Sequence, residues 1–195
     1  MRLLAFDFDD VLAVTDSRVR LAGGERVSTA DFRSGMALAD DAFDDFAMPP
    51  KLVKAGPCAA LLASAPKGTA AVVTARSAPS SVIAEFLKRS MAVEIDARYV
   101  YCVHSRDFAE RFGVGPSVAT AERKALALVD FASRFQCFSS LEYFDDDEEN
   151  VRGIRNAIDD ERVTVTHVPS RPQERAAQER RPASSASRRR AQDAR

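Results

Sequence analysis

The stretch LLAFDFDDVLAVTD, residues 3–16, sets Asp7, Asp9 and Asp10 almost side by side at the end of an apolar run. Carboxylates that close repel one another, and taking them out of water is expensive unless a cation or a hydrogen-bond network offsets the cost. Three more polar groups follow apolar runs: Thr74 and Arg76 after AAVV, Lys124 near the start of an amphipathic segment, and Asp145, Asp146 and Asp147 after SSLEYF. Clustered carboxylates suit a hard divalent cation such as Mg²⁺, and a hydroxyl with a lysine suits an anionic ligand.

These groups need a frame that brings them together. RLLAFDF (2–8), TAAVVTA (69–75), RYVYCVH (98–104), SSLEYF (139–144) and RVTVTHV (162–168) read as strands. Helical spacing runs over 79–89 through Val82, Ile83, Phe86 and Leu87. It recurs from Thr120, which is predicted to cap a helix with Ala125, Leu128, Val129 and Ala132 on one face, and again over 151–158. A further helix is predicted to start near Lys51, after Pro49-Pro50. Alternating strands and helices predict an α/β domain with a doubly wound parallel sheet, whose ligands sit beyond the carboxyl ends of the strands. The acids after the first and fourth strands, the Thr74 hydroxyl and Lys124 then converge on one rim.

Composition bounds the rest. The chain of 195 residues is 46% hydrophobic, enough for one domain with a sizeable core. No apolar run approaches the ~20 residues of a membrane span. Asp7, Asp9 and Asp10 interrupt the apolar N-terminus, so no signal peptide is read and a cytoplasmic location without membrane contact is expected. Cys58, Cys102 and Cys137 lie far apart with no CxxC spacing, which points to reduced thiols rather than a disulfide framework or zinc site. The net charge of −1 conceals a split: residues 170–195 hold eight Arg against Glu174, Glu179 and Asp193, a net +5, which leaves −6 on residues 1–169. The domain is expected to span 1–168. A tail from 169 to 195, without aromatic or β-branched residues, is expected to be disordered, and reads either as a holder of phosphate backbones or as a solvated extension with no partner.

DFDDV, then Thr74 in VVTAR, then Lys124, then FDDDEEN resemble, in chain order, motifs I to IV of the haloacid dehalogenase superfamily of phosphohydrolases. The likeness covers residues 3 to about 168. It is nearest to small phage and bacterial members, among them phosphatase domains of polynucleotide repair proteins. Two positions depart from the common pattern: Asp10 stands where glycine usually follows the second aspartate, and Ala75-Arg76 follow Thr74 in place of a glycine. The resemblance implies a Mg²⁺-dependent phosphatase in which Asp7 attacks phosphorus and Asp9 serves as general acid and then base. Thr74 and Lys124 would hold the phosphate, and Arg76 would either clamp substrate or salt-bridge the acidic body. Asp7, the backbone of Asp9, and Asp145 or Asp146 would ligate the metal, and Asp147 would cap the helix that follows. Arg123, beside Lys124, is the alternative cation.

The insert between motifs I and II, residues 17–50, bears on specificity. Gly23-Gly24 between alternating segments predicts a hairpin flap, and Phe32, Phe43 and Phe46 read as apolar anchors. The insert is too short for a large helical lid, and residues 105–119 leave no room for a cap. An open site favours a large substrate, so a nucleotide or a polynucleotide-end phosphate is expected. The rival class is a catalytically degenerate domain that binds nucleic acid through its basic tail. A receiver domain would need an aspartate at the end of the third strand, where VYCVHSRDF has none, and a kinase would need a GxxxxGK[ST] loop.

Overall fold

The computed structural model describes residues 1–29, 31–32 and 35–169. In chain order it has strands β1 (Arg2–Phe6), β2 (Ala13–Thr15), β3 (Val19–Arg20), β4 (Arg26–Val27) and β5 (Leu52–Ala55), then helix α1 (Ala59–Ser64). Next come β6 (Ala70–Thr74), α2 (Ser80–Met91), β7 (Val100–Cys102), α3 (Arg106–Phe112), α4 (Thr120–Arg134), β8 (Ser140–Asp145), α5 (Glu148–Ala157) and β9 (Val163–His167). The expected tail at 170–195 lies outside the described residues. Among the described residues, no helix is long and apolar enough to cross a membrane.

Five strands form a parallel sheet in the order β7-β6-β1-β8-β9, flanked by helices and compatible with a Rossmann-like fold. The chain builds outward from β1 to β7, then returns to place β8 on the other side of β1. The strand order therefore reverses between β1 and β8, where such sheets bind ligands. Strand side chains alternate between two cores. Leu3, Ala5, Ala71, Val73, Leu141 and Tyr143 face α4 and α5, whereas Leu4, Phe6, Val72 and Phe144 face α1 and α2. By the same period of two, Asp7 and Asp145 continue the face that α4 covers.

Several local expectations change. The segment after Pro50 is a strand rather than a helix: β5 pairs antiparallel with β2, and this partner overrides local preference. Helix α3 lies within residues 105–119 and is capped by Ser105, whose Oγ accepts from Phe108 N. Thr120 is the first residue of α4, not its cap; Ala119 holds that position without a side-chain hydrogen bond. Val129 is exposed, because the buried face of α4 runs through Arg123, Lys124, Ala127, Leu128 and Phe131.

The insert forms the predicted hairpin, with β3 paired to β4 around Gly23-Gly24, followed by a short 3₁₀ turn at Asp44–Ala47. Its small core holds Val19, Ala42 and Phe46, with Val27 and Phe32 packed alongside. Phe43 is half-exposed rather than an anchor, although its ring meets those of Phe32 and Phe46 edge-on.

Gly56 joins the β5 segment to the loop after β1. Its N–H donates to Leu12 O at 2.8 Å, and a Cβ there would lie 2.3 Å from Val11 O, against unyielding backbone. Gly56→Ala should therefore cost about 1–3 kcal/mol by overpacking. Gly23→Ala, with nothing within 4 Å of its Cβ, should stay within ~0.5 kcal/mol. Urea unfolding of both variants measures the contrast.

Candidate active site at the carboxyl ends of β1 and β8

Asp7 follows β1 directly, and its N–H extends the ladder by donating to Phe144 O at 2.8 Å. Asp145 is the last residue of β8. The two carboxylates share one cation: Lys124 Nζ lies 3.2 Å from Asp7 Oδ2 and 2.7 Å from Asp145 Oδ2. Lys124 and Asp145 are completely buried and Asp7 is 7% exposed. Asp145 is held further by the Tyr143 hydroxyl at 2.8 Å from Oδ2, which also lies 3.1 Å from Val73 O, and by Asp147 N at 3.0 Å from Oδ1. Asp147 caps α5 as its sequence position predicts, accepting from Glu149 N and Asn150 N. Tyr143 is absent from the sequence-level site, although the period-two spacing from Tyr143 to Asp145 puts both on one face.

The electrostatics follow from burial. Desolvation drives the Asp7 pKa well above that of a free carboxyl; Lys124 opposes this, and Asp145, Asp146 and Asp9 push it further up. Burial alone would lower the Lys124 pKa, but Asp145 and Asp7 outweigh it and hold the ammonium charged. Asp146, at the partly exposed rim, is pushed up to about 7 by desolvation and by its neighbours Asp145 and Asp10.

The donor set fits a hard divalent cation. Carboxylate oxygens of Asp7, Asp145 and Asp146 all lie within 4.8 Å of one another. Asp7 Oδ1 is buried and has no hydrogen-bond partner, so an acceptor is left open where the three acids meet. Three acids share the single Lys124 charge, and the upward shifts of Asp7 and Asp146 express a crowding that a divalent cation bound by carboxylate oxygens would relieve. Among the three acids after Phe144, the group thus comprises Asp145 and Asp146, while Asp147 is occupied as a cap.

Asp9 belongs to a second, adjoining cluster with Arg76. Arg76 is fully buried, with Nε 2.9 Å from Asp9 Oδ2 and Nη2 2.8 Å from Asp9 Oδ1. Of the two expected roles the structure shows the salt bridge: Nε and Nη2 are engaged by Asp9, Thr15 and Ser17, while Nη1 is buried without a hydrogen-bond partner. Thr74 ends β6 almost wholly buried, its Oγ1 accepting from Arg76 N at 3.4 Å. Arg123 does not substitute for Lys124, because its guanidinium donates to the carbonyls of Val103, Gly115 and Val118. His104, outside the expected site, pairs through Nε2 with Thr120 Oγ1 at 2.9 Å and ties the end of β7 to the start of α4.

Asp10 adopts φ 60°, the left-handed region that glycine enters freely and aspartate tolerates better than most residues. Its buried carboxylate accepts from the Thr29 hydroxyl, which fastens the insert to this turn.

No protein-family model, curated protein or solved structure matches the chain.

The raised Asp146 pKa sets a pH-dependent penalty. A carboxyl whose folded pKa exceeds its unfolded value costs nothing below about 4, accumulates its penalty as pH rises from about 4 to about 7, and carries it in full above. Without divalent ions, Asp146→Asn should therefore exceed the parent in stability at pH 8, by on the order of 1 kcal/mol after solvent screening, and lose that advantage toward pH 4. Mg²⁺ should raise the melting temperature of the parent more than that of the variant. Thermal denaturation across pH, with and without Mg²⁺, measures both.

Proposed function

We propose that the chain is a Mg²⁺-dependent phosphomonoester hydrolase of the haloacid dehalogenase type, working through an aspartyl-phosphate on Asp7. The observation that carries this reading is the buried Asp7–Lys124–Asp145 triad at the strand-order reversal, with Asp7 Oδ1 left without a partner. The finer assignment, a dehalogenase-like Rossmannoid domain with a small insert and no large cap, accords with the hairpin and 3₁₀ turn described between β2 and β5.

In the first step an Asp7 oxygen bonds to phosphorus while the bond to the leaving oxygen breaks. The electron pair departs with that oxygen, which takes a proton from Asp9. In the second step Asp9 takes a proton from water as its oxygen bonds to phosphorus, releasing inorganic phosphate and restoring Asp7. Lys124 offsets negative charge on Asp7 and the phosphoryl oxygens, and Thr74 holds one of those oxygens. Bound among Asp7, Asp145 and Asp146, Mg²⁺ supplies Lewis-acid stabilisation of phosphoryl charge.

The substrate class is a phosphate on a nucleotide or polynucleotide end. Two features support it: the insert is small, and the basic residues after 169 follow β9, whose end lies at the acidic rim. There Val168 N donates to Asp145 O at 2.9 Å, and His167 Nε2 lies 3.1 Å from Asp146 O. The free thiols of Cys58, Cys102 and Cys137 accord with a cytoplasmic setting.

Hydrolysis of p-nitrophenyl phosphate should require Mg²⁺. Asp7→Asn, which keeps side-chain size but removes the nucleophile, should lower kcat by about 10³-fold or more with little change in melting temperature. A parent protein inert toward aryl phosphate and phosphate-ended oligonucleotides in Mg²⁺ would instead favour a nucleic-acid-binding module.

A further inference from the structure

The insert reaches the site through Arg76. The guanidinium lies between two rings, 5.2 Å from the centroid of Phe8 and 5.0 Å from that of Phe46. Phe8 comes from the nucleophile turn, whereas Phe46 comes from the 3₁₀ turn of the insert and is 7% exposed. Phe46 is fixed in turn, because its carbonyl accepts from Ala78 N at 3.2 Å, just past Arg76 in the chain. Ser17, at the start of the insert, contributes its Oγ at 2.9 Å from Arg76 Nη2, and Thr15 Oγ1 lies 3.0 Å from the same nitrogen and 3.1 Å from Asp9 Oδ1.

Three of the four acceptor sites of Asp9 are thereby filled, one on Oδ2 by Arg76 Nε and two on Oδ1 by Arg76 Nη2 and Thr15, which leaves one site on Oδ2 to carry the transferred proton. Arg76 Nη1 has no hydrogen-bond partner, so hydrogen bonds grip the fork along one edge only and the two rings hold its plane. Planar, bidentate and stacked contacts of this kind suit arginine and not lysine. A proton-transfer group must sit within roughly 3 Å of the oxygen it serves, so a carboxylate free to rotate would be in place only part of the time.

We propose that Arg76 is a positioning residue for Asp9, and that the insert acts as a clamp on it through Phe46 and Ser17 rather than as a cover over substrate. The inference rests on the phosphohydrolase reading and deepens it: the insert governs how well the leaving group is protonated.

The test uses leaving groups of different need. p-Nitrophenolate departs without a proton, whereas the alkoxide of a nucleoside 5′-phosphate does not, and kcat/KM reports the step in which Asp7 is phosphorylated. Arg76→Lys should lower kcat/KM for the nucleoside phosphate about tenfold more than for p-nitrophenyl phosphate. Phe46→Leu, which keeps apolar volume but removes the ring face, should bias the loss in the same direction by a smaller factor. In an Asp9→Asn background, both substitutions should cost nothing further on the nucleoside phosphate, because they act through Asp9. The stabilisation of each variant by Mg²⁺ should persist, since Asp7, Asp145 and Asp146 are untouched.

Equal losses on the two substrates, or losses that add to that of Asp9→Asn, would overturn the inference and leave the phosphohydrolase reading standing. If Arg76→Lys does not fold, the same comparison with Phe46→Leu decides the matter. A parent inert on both substrates would overturn the reading itself, and the inference with it.

Discussion

One buried ammonium makes the centre of this fold tenable. Asp7 and Asp145 stand at the ends of adjacent strands, both withdrawn from water, and Lys124 is the cation that contacts both. Removing the lysine would leave both acids desolvated without their cation, a loss that typically costs about 3–5 kcal/mol for a buried pair. The surroundings accordingly spend their hydrogen-bonding capacity on keeping the triad in register. Tyr143 and the Asp147 N–H both hold Asp145, and the β1–β8 ladder continues one residue further to fix the backbone of Asp7.

The sheet makes that arrangement inevitable once the strands are in register. Side chains alternate along β1 and β8, so residues that begin as apolar core facing α4 end as carboxylates on the same face. Helix α4 supplies both kinds of partner from its buried stripe: Ala127, Leu128 and Phe131 meet the apolar part, and Lys124, one turn earlier, meets the acids. The other face is filled by α1 and α2, and it is from the loop beyond β6 that Arg76 turns toward Asp9.

The parallel sheet and the acidic rim were legible in the sequence because both depend on short-range pattern. Apolar runs that end in carboxylates mark strand ends, and the spacing of α4 marks a covering helix. What was not legible depends on partners distant in sequence. Residues 52–55 carry no strand signal strong enough to overcome the preceding prolines, yet they pair with β2 across about forty residues. Arg76 reads either as a substrate clamp or as a salt-bridge partner of the acidic body. Only the fold reveals that Asp9, Thr15, Ser17 and two rings are already around it. Asp10 in place of glycine looks like a departure until its φ of 60° and its bond to Thr29 appear together. The position still demands a left-handed backbone, and the carboxylate gains a contact that glycine could not make.

The end of β9 sits against the loop that carries Asp146, with His167 and Val168 both bonded to the Asp145–Asp146 backbone. A small group coupled there through a short linker would be confined to the volume around the acidic rim, at effective concentrations of about millimolar set by linker length rather than by the amount of protein. A reporter dye joined just beyond Pro169 would share that confinement. Its emission would follow the change in local charge as a cation enters among the carboxylates, giving an optical readout of occupancy without any turnover.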